Sequence, residues 1–515
     1  MDRPRPEVLV IGGGATGTGI ARDLAMRGAD VLLAEAGDLS TGASGGNHGM
    51  LHSGARYAAT DPEAARECAT EGEVLKRIAS FCIEDTGGMF VSLPGDDNAY
   101  PDRFRNACCL SGVRAEETGV NEALRSEPNL SREICAAFRV PDASVDPFFL
   151  VWGMAESARD AGATVLTHAP VTSLQVEDGR IIRAILGRGG GRTTVRPEVV
   201  VNASGAWCGT IAAMAGQRID MQLDKGSMVV FNGRVVNGLV NRLRPPADGD
   251  ILVPHRSSTI LGTTCGPGNL EDVRATVTEV EALLRTASEV LPGLSTARTI
   301  RAYAGVRPLL SGNGCGRQTS RGFSVIDHLD GGVENLLSVA GGKLTTCRLM
   351  AEKASDAVMG RLGRSGACRT MVEEIAPPAS GGRGFQEAIM RRKYSAHADG
   401  IMAECITSPL GQEEACSCES VSVGELDHFA ASPDVRTLSD LMRRTRAGMG
   451  YCQAGLCVFR MASALDVGEP RAEIERYLAE RWKGISPVLR GEQLRQEAFK
   501  AHLFKVHGMD HTREG

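Results

Sequence analysis

The 515-residue chain contains no apolar run of about 18 residues, so no membrane-spanning helix is expected. No cleavable leader is expected either: Met1-Asp2-Arg3-Pro4-Arg5-Pro6 runs straight into a short apolar stretch, with no longer apolar region and cleavage site. Basic residues are in deficit, 57 Lys and Arg against 63 Asp and Glu, and a net charge of −6 argues against nonspecific nucleic-acid binding. Cysteine is not scarce, but its 15 copies are odd in number and scattered along a chain too long for a disulfide-scaffolded secreted domain. A reducing cytoplasm is therefore expected, with peripheral membrane attachment left open.

What is present is glycine, 62 residues in 515, well above the usual ~7%. Glycine is the residue used where backbone must approach a phosphate closely. At roughly 150 residues per domain, the length predicts about three domains, and an apolar fraction of 42% is enough for large cores.

The first glycine cluster carries the strongest signal. Val8-Leu9-Val10-Ile11 reads as a buried strand that breaks at Gly12-Gly13-Gly14-Ala15-Thr16-Gly17, and Thr18 to Arg27 has helical spacing. In such a unit Gly12 permits the tight turn, Gly14 lets a pyrophosphate approach, and Gly17 lets the helix pack on the strand. The helix N-terminus then presents its positive end to the phosphates. A second strand, Asp30 to Glu35, ends in a carboxylate about 20 residues downstream, where a ribose hydroxyl needs an acceptor. Glu35 favours an unphosphorylated ribose, hence FAD or NAD over NADP.

Later segments favour FAD. Val199 to Trp207, a buried strand ending in a small-residue turn at Gly205, resembles the second nucleotide-contact segment of FAD enzymes. Ala163 to Val171 resembles the strand that brackets the adenine in the same group. Thr41-Gly42-Ala43-Ser44-Gly45-Gly46-Asn47-His48-Gly49-Met50-Leu51-His52-Ser53-Gly54-Ala55-Arg56-Tyr57 resembles the flavin-proximal loop of FAD-dependent glycerol-3-phosphate dehydrogenases. So do Arg301 to Leu309 and Thr319 to Gly322, and Gly341 to Arg348 is similar to that family's C-terminal flavin-binding signature. The form of the flavin loop, with a cysteine domain behind it, is most similar to the A-type subunit of the anaerobic three-subunit enzyme.

The resemblance implies an α/β fold: a Rossmann-like FAD-binding domain of glutathione-reductase or amino-acid-oxidase type with an inserted mixed-sheet substrate domain, plus a small C-terminal helical cysteine domain. The oxidoreductase part is expected over residues 1–365, with FAD segments near 5–80, 145–215 and 320–365 and substrate segments near 81–144 and 216–319. A linker is expected over 366–411, the cysteine domain over 412–463 and a helical tail over 464–515. FAD contacts are implied for Gly12, Gly14, Gly17, Glu35, Thr41, Ser44, Asn47, His48, Val171, Gly205, Gly342, Lys343, Leu344 and Thr345.

A phosphorylated alcohol needs a cationic cradle, and the planar fork of arginine suits phosphate oxygens. The family's motifs put Arg307 and Arg321 at the substrate phosphate, with Arg56 and Lys343 nearby. Oxidation of the alcohol also needs a base, and a neutral histidine is the natural one near pH 7. His52 is the first choice, with His48 and His255 as alternatives. Some single-subunit members carry a histidine in the segment that reads Lys225-Gly226-Ser227-Met228 here, and Met228 cannot accept a proton. Cys347 stands where tyrosine is frequent in the family and reads as packing.

Behind a small, polar, proline-bearing stretch from Arg364 to Gly382 lie Cys416, Cys418, Cys452 and Cys457. Four thiolates hold zinc or a [2Fe–2S] cluster, and C-x-C is unusual for zinc. Gly424 to Ala431 and Thr437 to Arg446 read as helices between the pairs, and Arg444 to Cys457 resembles the bacterioferritin-associated-ferredoxin-like [2Fe–2S] domain. Many members of that group close with C-x2-C, where this chain has C-x4-C. The other eleven cysteines are expected to be buried as small hydrophobes. The tail, Ala472 to Val506, has helical spacing and is read as docking a partner, lying on a membrane surface or capping the cysteine domain.

Together these readings predict a catalytic subunit that takes a hydride from sn-glycerol 3-phosphate onto FAD, giving dihydroxyacetone phosphate. Electrons would leave through a [2Fe–2S] centre to partner subunits and membrane quinone, at the inner face of the cell membrane. The competing readings are a flavin–iron–sulfur dehydrogenase for a 2-hydroxy acid or opine, and a non-catalytic zinc-binding assembly or sensing protein.

Overall fold

A computed structural model describes residues 5–311, 322–377, 385–510 and 512. Among these, one sheet runs in the order Phe323–Asp327, Leu336–Gly341, Val199–Asn202, Val8–Ile11, Val31–Ala34, Thr164–Leu166, and its paired strands are parallel except at Phe323–Asp327. Both faces are covered, which is why its strands are continuous apolar runs. Val8, Val10, Val31 and Leu33 join the core with helices Ala15–Met26, Pro147–Asp160 and Cys347–Arg361. Leu9, Ile11 and Leu32 point the other way, onto the antiparallel meander Val171–Glu177, Arg180–Arg188, Gly191–Val195.

A second, mixed sheet is built around two long antiparallel strands, Met221–Phe231 and Thr299–Leu310. Their register sets Asp224 opposite Arg307 and Met228 opposite Tyr303. Helix Val277–Val290 opens with a reciprocal Thr276–Glu279 capping box and buries Val280, Leu283, Leu284 and Ala287 in the apolar core it shares with this sheet.

The last quarter is helical. Helices Val423–Ala430 and Leu438–Thr445 separate the two cysteine pairs, and each starts on a capping box, Ser422 with Glu425 and Thr437 with Asp440. The stretch expected as a linker carries helices Phe385–Tyr394 and Ala398–Thr407, so within its described part it is structured rather than extended. It is anchored by Tyr394, fully buried, which stacks edge-on against Phe149 and Trp152 and donates to Glu425. The tail forms helices Pro470–Ile485 and Gly491–Val506. Among the described residues no helix is long and apolar enough to cross a membrane.

The segment between the cysteine pairs is tied to the first sheet and its connections by charge. Arg443 and Arg444 both bond the fully buried Asp38, His168 meets Asp440 at 2.9 Å, and Arg446 meets Asp146 at 2.7 Å. A buried carboxylate left alone would cost several kcal/mol, so these pairs fix one docking geometry.

Candidate active site and cysteine cluster

The residues drawn from distant parts of the sequence converge on one cavity of about 1730 Å³. Its walls include Gly12, Gly14, Glu35, Thr41, Ser44, Asn47, His48, His52, Arg56, Val171, Gly205, Arg307, Gly342, Lys343 and Leu344. Gly17 stands behind the wall: a Cβ there would lie 1.9 Å from the Gly12 carbonyl oxygen, the close helix–strand contact expected of it. Thr345 is also behind the wall, fully buried, where its Oγ1 accepts the His52 N–H at 3.1 Å. Arg321 lies outside the described residues.

The nucleotide end fits a dinucleotide. Gly12 has φ +113°, and a Cβ there would meet the Ala203 carbonyl oxygen at 2.6 Å. Helix Ala15–Met26 has no acidic residue in its first turn to oppose a phosphate. Ser44 Oγ accepts the Ala15 N–H at 2.9 Å and so sits at the same helix end. Glu35 accepts from the backbone N–H groups of Gly13 at 2.6 Å and Gly37 at 2.8 Å. Burial raises its carboxyl above the ordinary range, and those two N–H groups oppose the rise.

The flavin-proximal loop is fixed mostly by itself. Asn47 uses its side-chain amide on the carbonyls of Ala43 and Ser44 and accepts the Gly49 N–H, so its side chain shapes the loop. The Met50 N–H donates to His48 Nδ1 at 3.1 Å, which puts the proton of a neutral ring on Nε2. Burial, with Arg307 and Arg56 adding to it, pushes His48 down to about 3. At neutral pH His48 is thus an uncharged hydrogen-bond donor, not a base. His52 is buried, with Nε2 3.5 Å from the Tyr57 hydroxyl and its ring 6.0 Å from that of His48.

The cationic groups gather at the same end. Arg307 donates to Asp224 at 2.7 Å, to Thr263 Oγ1 at 2.6 Å and to the Thr264 carbonyl at 3.1 Å. Guanidinium has five N–H donors, so two remain for a ligand. Lys343 lies over the Tyr57 ring, 5.0 Å from its centre, and Arg56 meets Asp250 at 3.4 Å. His255, an alternative base on sequence grounds, is not on the cavity wall: its Nε2 faces Arg446 at 3.1 Å and Asp146 at 3.6 Å. It serves the docking of the cysteine-bearing part instead. Sequence patterns alone do not single out Tyr57, Thr263 or Asp224. Tyr57 lies inside the flavin-loop motif, whereas Asp224 and Thr263 carry no local signal because they reach Arg307 only across the sheet.

The four clustered cysteines form a connected group. Cys416 is hydrogen-bonded to Cys418 and Cys457, and Cys418 to Cys452. Backbone N–H groups of Gly448 and Glu419 point at Cys416, and those of Gly455 and Leu456 at Cys452. The thiol bond from Cys418 pushes Cys452 down to about 6, and thiol bonds from Cys418 and Cys457 hold Cys416 low as well. The thiols are linked to one another, yet among the described residues no three or more His, Cys, Asp or Glu side chains, these four included, are arranged to hold a metal ion as they stand. Outside this group the expectation of burial fails for Cys109 and Cys135, which are exposed, and for Cys265 and Cys368, which are partly exposed. Cys347 is buried as packing.

Residues 7–357 match the FAD dependent oxidoreductase family. Over 98% of its length the chain is 39% identical to the A subunit of anaerobic glycerol-3-phosphate dehydrogenase from Escherichia coli K12, of which it covers 97%. It is 40% identical to the A1 subunit of anaerobic glycerol-3-phosphate dehydrogenase from Haloferax volcanii, over 97% of this chain and 90% of that one. Among solved structures, glycerol-3-phosphate dehydrogenase from Bacillus halodurans complexed with FAD superposes with a TM-score of 0.67 at 20% identity, covering 99% of this chain and 96% of that one. Glycine oxidase from Geobacillus kaustophilus superposes at 0.58 with 22% identity, covering 74% of this chain and all of that one.

Proposed function

This chain belongs to the FAD dependent oxidoreductase family, and on that premise we propose that it is the catalytic subunit of an anaerobic glycerol-3-phosphate dehydrogenase. It oxidises sn-glycerol 3-phosphate to dihydroxyacetone phosphate. The observation that carries this reading is the meeting of Arg307, Lys343, His48 and His52 in one cavity with the dinucleotide glycines. FAD, when bound, supplies the hydride acceptor and can give up its electrons one at a time.

The chain's own residues supply the rest. Arg307 offers its two remaining N–H donors to the substrate phosphate, held in position by Asp224 and Thr263. Arg56 and Lys343 add positive charge nearby, and Arg321 is assigned to the same cradle from its motif. His48 donates from Nε2 to the substrate. His52 takes the hydroxyl proton, with Thr345 fixing its backbone and Tyr57 beside its ring.

Cys416, Cys418, Cys452 and Cys457 are proposed to hold a [2Fe–2S] cluster. Two thiolates per iron suit a linked row of four sulfurs better than one tetrahedral zinc does. The N–H groups aimed at Cys416 and Cys452 are the donors that stabilise sulfur-ligated iron. Electrons leave by this centre for partner subunits and membrane quinone, which puts the complex at the inner face of the cell membrane.

The test is anaerobic titration of the flavin-loaded protein with glycerol 3-phosphate and, separately, with lactate, followed optically and by electron paramagnetic resonance. Glycerol 3-phosphate should bleach the flavin and produce a reduced iron–sulfur signal. Bleaching by lactate alone would assign a 2-hydroxy acid instead, and protein without iron would remove the cluster from the scheme.

A further inference from the structure

The tail helix Gly491–Val506 is built inside out. Gln493, Glu497, Lys500 and Phe504 are buried, while Leu494, Phe499 and Val506 are 52%, 63% and 72% exposed. The buried polar side chains bond the cysteine loop and one another. Lys500 donates to the Gln453 carbonyl at 3.3 Å and to the Glu497 carboxylate at 2.9 Å, and Gln493 donates to Glu497 at 3.1 Å. Gln496 donates to the Tyr451 carbonyl at 3.0 Å. The inner side thus caps the cysteine-bearing part, one of the roles expected of the tail. The outer side, where a surface helix ordinarily carries polar groups, carries apolar ones as well. Tyr451 and Leu456, also exposed, belong to the loop that the inner side grips: a Cβ at Gly455 would lie 3.2 Å from Lys500 Cγ.

Charge narrows what can cover this side. Over residues 490–506 the exposed charged side chains are Arg490, Arg495 and Lys505 against Glu492 alone, a positive excess on a chain of net charge −6. Leu494 and Phe499 stand about 140° apart round the helix at 3.6 residues per turn, and Arg495 and Lys505 fall between them. A protein partner needs an apolar centre with its charges kept to the rim. A lipid surface accepts the mixture: separate apolar side chains enter the acyl boundary while arginine and lysine reach the headgroup phosphates from the same side.

We propose that the outer side of helix Gly491–Val506, with Tyr451 and Leu456 beside it, is a docking surface for an anionic lipid bilayer. Anionic headgroups balance Arg490, Arg495 and Lys505, and Leu494, Phe499 and Val506 enter between them. The contact is peripheral, since among the described residues no helix is long and apolar enough to cross. The proposal rests on the membrane-quinone destination given above and adds that this chain meets the membrane itself, without a partner subunit.

The experiment is flotation of the full, flavin-loaded chain with vesicles, in the absence of substrate. Vesicles of equal parts phosphatidylglycerol and phosphatidylcholine are compared with vesicles of phosphatidylcholine alone. Wild type should float with the first, more weakly as salt is added, and bind the second roughly tenfold less. Arg495→Gln with Lys505→Gln should weaken binding to the anionic vesicles roughly fivefold per cation lost. Phe499→Ser with Val506→Ser should weaken it roughly tenfold or more, with flavin content and gel-filtration volume unchanged. Should the serine pair fail to fold, the glutamine pair and the two lipid mixtures still decide. Wild type that does not float, that binds both mixtures equally, or that is matched by the glutamine pair overturns the proposal. Self-association of wild type that Phe499→Ser abolishes, without flotation, assigns the face to a second copy and also overturns it. Failure here leaves the dehydrogenase reading standing, because bleaching of the flavin by glycerol 3-phosphate is measured separately.

Discussion

The Tyr303 hydroxyl donates to the Asn47 carbonyl at 2.7 Å, tying the long strand Thr299–Leu310 to the loop that carries His48 and His52. Two residues further on, Gly305 touches the same loop through backbone: a Cβ there would lie 1.9 Å from the Gly46 carbonyl oxygen. One strand therefore sets the height of the flavin loop and the position of Arg307 together.

Gly305→Ala should push that loop away from the strand. The expected outcome is a folded protein with weakened FAD binding, read from the ratio of flavin to protein absorbance after gel filtration and from far-ultraviolet circular dichroism. Full flavin content would show that the loop does not depend on this contact.

Arg307→Ala removes the phosphate donors. Each charge-assisted bond is worth roughly 1.5–3 kcal/mol, so substrate affinity should fall by ten-fold or more with flavin still bound. Substrate-concentration dependence of flavin bleaching measures this, and an unaltered affinity would dismiss Arg307 as the phosphate ligand.

His48 gives a pH prediction. Its proton affinity falls from the ordinary 6.5 to about 3 on folding. Between those values the unfolded chain binds a proton that the folded chain refuses, so stability falls as acid is added through that window. His48→Gln should flatten the loss by up to about 1.4 kcal/mol per pH unit. Urea unfolding at stepped pH measures the slope, and equal slopes in the two proteins would contradict the neutral His48 ring.

Cys418 is one of the two inner thiols of the row, bonded to Cys416 and Cys452. Cys418→Ser should leave flavin reduction by glycerol 3-phosphate intact while lowering iron content and halting reduction of an external one-electron acceptor that takes electrons from the centre. Iron analysis and stopped-flow absorbance check the two halves separately.

The parts of this molecule that were legible in its sequence are those whose physics is local. Val8 to Gly17 reads as strand, turn and helix because its neighbours in space are its neighbours in sequence. Gly205, Gly342 and Lys343 were reached through motif resemblance, and they meet the nucleotide glycines in one cavity. Pairings across the sheet left no such trace. Asp224 and Arg307 are 83 positions apart, and nothing in either segment alone announces the other. His255 reads as an alternative base because it lies in the expected substrate segment, yet its partners Asp146 and Arg446 lie far off in sequence. The helices at Phe385–Tyr394 and Ala398–Thr407 were missed because the small, proline-bearing residues just before them set the expectation for the whole stretch.

Asp38 stands three residues after Glu35, and its partners Arg443 and Arg444 come some four hundred positions later. During synthesis Asp38 thus leaves the ribosome long before its two counter-charges. A nascent or truncated chain that stops short of residue 443 therefore lacks the arginines that let this carboxylate be buried, however complete its glycine motif.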